Sequence, residues 1–233
     1  MERNISICIP TYERVDMLFE AFEKVYVDDR ISEIIIVDDA SSPDVFEKIR
    51  KRCFELSKVV LYRNANNRDC YENKYTALSY ASNDWCILLD SDNIILPDYI
   101  NAIFEREWSD EIAYLPVFAK PHFDYRKFSG LLVSRENVSG FMDIDMFSTA
   151  LNTANYFINR KNYLKAWTKD VNPVTADSIF MNYRWLDAGL KLFFVPGLEY
   201  EHRVHPGSHY QNNVSRTPAG FLADIENKLK QMK

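Results

Sequence analysis

What is scarce in this 233-residue chain narrows its function first. It has four cysteines, Cys8, Cys53, Cys70 and Cys86, and none forms a C-x-x-C pair, which argues against a zinc knuckle. Cys8 and Cys86 lie inside apolar runs, where a thiol behaves as a small hydrophobe, and this usage fits a reducing, cytoplasmic setting. No apolar stretch approaches the length of a membrane span, and the N-terminus lacks a signal-peptide pattern, so no transmembrane segment is expected. Positive charge is in deficit. A formal net charge of −6 and a pI near 5.3 argue against a nucleic-acid binder or a nuclease, whose footprint is a basic patch. The loop Pro10 to Arg14 is not the glycine-rich, basic loop with which a nucleotidyltransferase grips a triphosphate. There is no internal repeat, low-complexity tract or linker, so one continuous domain over 1–233 is the simplest reading.

What is present is a repeated pattern of apolar runs that end in acids. Cys86-Ile87-Leu88-Leu89 runs into Asp90-Ser91-Asp92-Asn93, and Ile34-Ile35-Ile36-Val37 runs into Asp38-Asp39-Ala40-Ser41. Hard divalent cations such as Mg²⁺ and Mn²⁺ take oxygen ligands and are often shared with substrate phosphates. Two buried strands with acidic ends point to one electronegative crevice at the carboxyl ends of a parallel sheet.

The rest of the chain supports that architecture. Ile5–Ile9, Ile34–Val37, Val59–Tyr62 and Trp85–Leu89 read as strands. Between them, residues 15–27, 43–56 and 71–81 have helical spacing, with Ser42 as N-cap and Pro43 in the first turn. Alternation of this kind predicts an α/β fold with a mostly parallel central sheet and helices on both faces. Beyond Pro97 a helix to about Glu107, strands at 113–118, 155–158 and 192–195, and helices at 175–188 and 221–233 are expected. The aromatic and polar stretch Lys120–Phe147 reads as a mobile substrate loop with short helices.

Taken in order, several landmarks resemble those of the family 2 inverting glycosyltransferases of the GT-A, Rossmann-like fold. They are Ile9-Pro10-Thr11-Tyr12-Glu13-Arg14, Val37-Asp38-Asp39-Ala40-Ser41, Asn67 with Lys74, Leu89-Asp90-Ser91-Asp92, Ala176-Asp177 and Tyr200-Glu201-His202-Arg203-Val204-His205-Pro206-Gly207-Ser208. The resemblance implies a nucleotide-sugar-binding half at 1–97, an acceptor-binding half at 98–220 and a C-terminal helix at 221–233. It implies transfer of one sugar from a nucleotide-sugar donor, UDP-linked in most of the family, to a hydroxyl of a glycan or glycoconjugate acceptor. Asp90 and Asp92 would be the family's D-x-D, with Asp92 on Mn²⁺ or Mg²⁺ and Asp90 and Ser91 nearer the donor. His205 would complete the metal shell or touch the pyrophosphate, with His202 as its competitor, and Arg203 and Ser208 would add phosphate contacts. Asp39 would accept the base N3–H, Tyr12 would stack on the base beside Pro10 and Thr11, and Asp38 would support the loop or the ribose. Asn67 would be the family's loop asparagine and Lys74 the basic residue that follows it and offsets diphosphate charge, Arg14 would reach a phosphate or cap a neighbouring carboxylate, and Asp177 would be the general base.

The chain also departs from the family. Ala176 replaces the glutamate before the base, Asn93 replaces an aspartate, and Lys74 stands where arginine is usual. Ala40 and Asp69 stand at family glycine positions, and Ala40 implies a more ordinary backbone there. These departures carry the alternative of a catalytically degenerate domain that binds nucleotide-sugar or glycan without turnover. Met181-Asn182-Tyr183-Arg184-Trp185 is similar to the Q-x-x-R-W of processive synthases, but it lacks the glutamine and lies too near Asp177. Arg184 and Trp185 are therefore expected to pack their helix onto the sheet. Phe118–Phe147 and Trp167 are expected, on aromatic content, to shape the acceptor site. The oligomeric state is left open.

Overall fold

The computed structural model describes residues 3–233. In chain order the elements are β1 (Ile5–Thr11), α1 (Asp16–Glu23), β2 (Ile31–Asp38), α2 (Pro43–Phe54), β3 (Val59–Arg63), α3 (Asp69–Tyr80), β4 (Trp85–Leu88) and α4 (Pro97–Phe104). They continue with β5 (Ile112–Leu115), β6 (Phe118–Lys120), β7 (Phe123–Asp124), β8 (Leu132–Val133), α5 (Phe147–Leu151), β9 (Tyr156–Asn159) and α6 (Arg160–Ala166). The last elements are α7 (Asp177–Asp187), β10 (Lys191–Phe194), β11 (Glu199–Glu201), α8 (His209–Asn213) and α9 (Phe221–Lys230).

An eight-stranded sheet runs in the order β3-β2-β1-β4-β9-β5-β10-β8, and β11-β6-β7 form a second, three-stranded sheet. β1, β2, β3 and β4 are mutually parallel, as their helical crossovers require. Their near-continuous apolar runs follow from burial on both faces. Ile5, Ile7, Ile9, Ile34, Ile36 and Ile87 pack to one side, while Cys8, Ile35, Val37, Cys86 and Leu88 pack to the other. The expected strand at 155–158 is present as β9, but antiparallel to both β4 and β5, so the sheet is mixed at its middle.

The single strand expected over 113–118 is in fact two. Pro116 has no N–H to give a ladder, so the chain leaves the large sheet after Leu115 and enters the small one at Phe118. The stretch expected to be a mobile loop, 120–147, is instead tied into the core. Tyr125, Phe128, Val133, Val138 and Phe147 are buried there, with β7 and β8 joined to the two sheets. The C-terminal helix is less polar in context than in sequence: Ile225 and Leu229 are buried, and α9 packs against α7. Trp185 is buried and its Nε1 donates to the Lys191 carbonyl at 2.9 Å, which ties α7 to β10. Among the described residues no helix is long and apolar enough to cross a membrane.

Glu33 on β2 fastens the far end of the sheet from the crevice. Its Oε1 accepts the Ser6 hydroxyl at 2.5 Å and the Ser82 N–H at 2.6 Å. Burial pushes this carboxyl up, but those hydrogen bonds outweigh it and hold it below its ordinary 4.5. A depressed carboxyl stabilises the fold above its unfolded-state pKa, and that contribution is lost as pH falls through the folded value. Glu33→Gln is therefore expected to flatten the loss of melting temperature below about pH 4.5, as read by thermal denaturation in a pH series.

Candidate active site

The first loops and the ends of β1, β2 and β4 open into one cleft of about 1150 Å³. That exceeds the roughly 300–1,000 Å³ of a typical small-molecule site. Pro10, Thr11, Tyr12, Arg14, Asp39 and Asn67 line it, and so do Lys74, Asp90, Ser91, Asp92, Asp177 and His205. Twelve of the thirteen residues expected at the site thus share one cavity. The exception is Asp38, which is fully buried below the loop. Its Oδ2 accepts the Ser41 N–H at 3.1 Å and faces Arg63 Nε at 3.4 Å. Asp38 props the loop rather than facing the cleft, and burial pushes its carboxyl up.

Asp39 is aimed differently because the backbone turns between the two acids. Ala40 has φ +60, so the ordinary backbone expected for a non-glycine residue is not what this loop adopts. The conformation is held from outside. Glu13 donates its N–H to Ser41 Oγ at 2.8 Å and accepts from Ser42 N at 2.6 Å, which locks the β1 loop to the start of α2. Asp39 Oδ1 accepts from Asn64 Nδ2 at 2.7 Å and from the Arg68 N–H at 3.0 Å. Burial pushes its carboxyl up, against those donors. Tyr12 stands 48% exposed at the rim above it, an open aromatic face. Asp69, at the other family glycine position, also takes a left-handed conformation, φ +68, which aspartate tolerates better than most residues.

On the cleft floor, Lys74 binds two acids from distant parts of the chain. Its Nζ lies 2.7 Å from Asp177 Oδ2 and 3.2 Å from Asp90 Oδ1. The lysine side chain is only 3% exposed. Burial alone would push the ammonium down, but Asp177 and then Asp90 outweigh it and hold it well above its ordinary range. Lys74 is thus a fixed cation bridging the base candidate and the first D-x-D carboxylate, rather than a free arm. Burial pushes the Asp90 carboxyl up, Lys74 pulls it back, and Asp92 and Asp177 add to the rise. Cys70 completes this floor, with its Sγ 3.8 Å from Asp177 Oδ2 and burial keeping it a thiol.

Asp92 sits at the mouth. Its Oδ2 lies 3.1 Å from His205 Nε2 and 2.9 Å from Arg14 Nη2. Arg14 also donates to Ser91 Oγ at 3.2 Å and to the Gly207 carbonyl at 3.1 Å, so it ties the first loop to the last. No group of three or more His, Cys, Asp or Glu side chains among the described residues is arranged to hold a metal. The pair Asp92–His205 nevertheless suits an ion of the Mg²⁺ or Mn²⁺ kind, which is commonly held by one or two protein ligands with substrate phosphates and water filling the rest. Arg14 shares the same carboxylate oxygen and would have to give it up.

Some residues that build the site are hard to see in sequence. Asn155 is fully buried at φ +61, and its Oδ1 accepts the Asp90 N–H at 2.7 Å. It aims the Asp90 turn from the residue just before the antiparallel strand β9, and nothing local in the sequence marks it. Arg203 was read as a phosphate contact. Instead its Nε donates to the Asp92 carbonyl at 2.5 Å, its Nη2 donates to the Met17 carbonyl at 2.8 Å, and its Nη1 pairs with Glu20. It is a strut behind the acids. His202, the competitor of His205, meets His122 instead, Nδ1 to Nδ1 at 2.9 Å. Trp167 does not line the cleft; it packs on Tyr75 and Tyr71, with ring centroids 4.3 and 5.4 Å apart. Of the aromatic stretch 118–147, Phe123 and Tyr125 reach the cleft wall.

A mostly parallel sheet in which β2 and β4 end in acids on either side of β1, with a further acid brought in by α7 beyond the mixed half, is an α/β arrangement of the GT-A kind. Residues 6–166 match Glycosyl transferase family 2, and the chain belongs to that family. No curated protein sequence matches it significantly. Among solved structures it is similar to residues 1–349 of S. aureus TarS in complex with UDP-GlcNAc, with a TM-score of 0.67 and 15% identity over 89% of this chain. It is similar to the mannosyltransferase PcManGT from Pyrobaculum calidifontis in complex with GDP-Man and Mn²⁺, with a TM-score of 0.66 and 17% identity over 97% of this chain. GalNAc-T7 with UDP, GalNAc and Mn²⁺ gives a TM-score of 0.63 and 14% identity over 92% of this chain. The chain spans 60%, 69% and 47% of the length of those three chains.

Proposed function

We propose that this protein transfers a single sugar from a nucleotide-sugar, UDP-linked, to an acceptor hydroxyl with inversion at the anomeric carbon. The observation that carries the reading is the convergence of Asp39, Asp90, Asp92 and Asp177 in one cleft, although they are as far apart as the second strand and the seventh helix. Asp39 receives the base, Tyr12 covers it, and Pro10, Thr11 and Asn67 shape the rest of the nucleoside pocket. Asp90 and Ser91 face the sugar and ribose. Asp92 and His205 would hold a divalent cation, which when bound offsets charge on the departing diphosphate. Arg14, released from Asp92, supplies further positive charge there. In the transfer step the acceptor oxygen attacks the anomeric carbon from the face opposite the diphosphate. The acceptor's proton goes to Asp177, and the bond from carbon to phosphate oxygen breaks with its electron pair leaving on the nucleoside diphosphate.

A binding-only reading draws on one observation. Asp92 and Asp177 already face protein cations, Arg14 and Lys74 respectively. One experiment bears on both readings. A ligand at about one hundred times its Kd stabilises the fold by about 2.7 kcal/mol, roughly 5–10 °C for a chain of this size. UDP with Mn²⁺ is expected to give such a shift, Asp92→Ala to remove the Mn²⁺-dependent part, and Asp39→Ala most of the nucleotide-dependent part. Slow hydrolysis of a UDP-sugar by the wild-type chain with Mn²⁺ is expected under the enzyme reading alone. No shift with any nucleoside diphosphate would remove the donor site.

A further inference from the structure

The charge along the cleft is sorted by position. Among the described residues three lysines or arginines line it, Arg14, Lys74 and Arg203, and each engages the acid-rich donor side or its support. Past Asp177 the wall changes character. It is built from α5, from the short turn Val174–Ala176 and from the chain beyond Ser208, most of it outside the matched family region. A side chamber of about 420 Å³ opens there, sharing Asn152, Thr175, Tyr210, Leu222 and Glu226 with the main cleft. Among the described residues no lysine or arginine lines this chamber.

The chamber is firmly attached to the helix that carries Asp177. Asn152 Oδ1 accepts the Ile179 N–H at 3.1 Å, and the Thr175 and Thr217 hydroxyls lie 2.7 Å apart. Ser148 hydrogen-bonds Glu226 Oε1, which joins α5 to α9 across the opening. Glu226 Oε2 has no hydrogen-bond partner among the described residues. Tyr210 and Leu222 are 56% and 41% exposed, so an aromatic ring and an apolar side chain border the same space. A sugar ring presents apolar C–H faces and hydroxyl edges. It would find an apolar face in Tyr210 and Leu222, and hydrogen-bonding groups in Thr175, Asn152 and the free carboxylate oxygen. A phosphate there would meet Glu226 with no cation among the lining residues to balance either charge, since Lys230, the cation that feels Glu226, is paired with Asp143 outside the chamber, and an unpaired like-charge contact acts as selection against that ligand.

We infer that the acceptor is an uncharged saccharide, seated in the chamber beyond Asp177 by Glu226 and Tyr210, and that phosphate-bearing acceptors are rejected. The inference rests on the transfer reading above, since it takes Asp177 as the point at which donor and acceptor meet. Position supports it: the chamber adjoins the turn leading into Asp177 and lies on the side away from Asp39 and Tyr12.

The test uses the full chain with UDP and Mg²⁺ and ligand-observed saturation-transfer NMR. The probes are the neutral disaccharides maltose, cellobiose, lactose and chitobiose, set against glucose-6-phosphate, N-acetylglucosamine-6-phosphate and ribitol-5-phosphate. At least one neutral disaccharide is expected to bind at least tenfold more tightly than every phosphorylated probe. Glu226→Gln and Tyr210→Ala are each expected to weaken that binding at least fivefold with UDP affinity unchanged. Glu226→Lys is expected to turn selectivity toward the phosphorylated probes. Tyr210 is largely exposed, so its replacement leaves the fold intact and keeps the test open if a Glu226 variant misfolds. Tighter binding of a phosphorylated probe, no binding of any neutral probe, or unchanged binding in both the Glu226→Gln and Tyr210→Ala variants overturns the inference. Loss of UDP binding by the wild-type chain would instead overturn the donor reading, so the two failures are distinct.

Discussion

Asp177→Asn is expected to lower transfer by about 10²–10⁴-fold, the range that a positioned general base contributes, while UDP affinity stays within about threefold of wild type. The asparagine keeps the shape and one acceptor oxygen toward Lys74, so the cleft floor is retained and the lost property is the capacity to take a proton. Asp177 is suited to that task by place as well as by type. It opens α7, directly after the turn Val174–Ala176, and stands where the donor side of the cleft passes into the chamber. The missing glutamate at Ala176 does not leave it without an orienting neighbour, because Lys74 Nζ holds its Oδ2 at 2.7 Å. Donor binding is read by calorimetry and transfer by release of UDP with a saccharide acceptor. Wild-type turnover in the variant would move the base role to another residue.

Lys74→Met is expected to give the largest stability change of any single cleft substitution. Breaking a buried ion pair by removing one partner commonly destabilises by roughly 3–5 kcal/mol. The low end is expected here, because Asp90 is 26% exposed and water can reach it. That corresponds to a fall in Tm of roughly 6–12 °C for a chain of this size. The sign of the pH dependence follows from the acids left behind. Without the cation, burial pushes Asp90 further toward the neutral form. A carboxyl whose folded pKa lies above its unfolded value favours the fold at low pH, and this is lost as pH rises through the folded value. The deficit of the variant should therefore shrink as pH falls toward the ordinary carboxylate range. The double variant with Asp177→Asn should be less destabilised than the two single effects combined, since the groups touch. Urea denaturation at two pH values reads all of this, and additive, pH-independent effects would show that the bridge is unimportant.

The site was legible where chemistry is written into short runs. An apolar strand that ends in a pair of aspartates marks a cleft edge, because burial selects the first part and at least one of the two acids must find water, a cation or a ligand at the strand end. Asp39, Asp90 and Asp92 are of this kind. Asp38 was not separable from Asp39 by type; the turn at Ala40 decides that one faces the cleft and the other the interior. Lys74 was read as a diphosphate contact because a helical lysine after a loop asparagine shows nothing of what lies 103 residues away. The same limit hid Asn155 and turned Arg203 from ligand into strut. The stretch 120–147 misled for another reason: its aromatics are spaced for neither helix nor strand, yet they fill the core under α5 and β10.

Local composition by itself determined the strand-helix alternation, the acid-ended strands and the absence of a membrane-length helix, since each depends on neighbours within a few residues. Tertiary structure alone decided which acid meets which cation, and where the lining turns from charged to neutral. Those outcomes depend on distances between segments from opposite ends of the chain, and a Coulombic or hydrogen-bonded contact exists only once folding has set that separation.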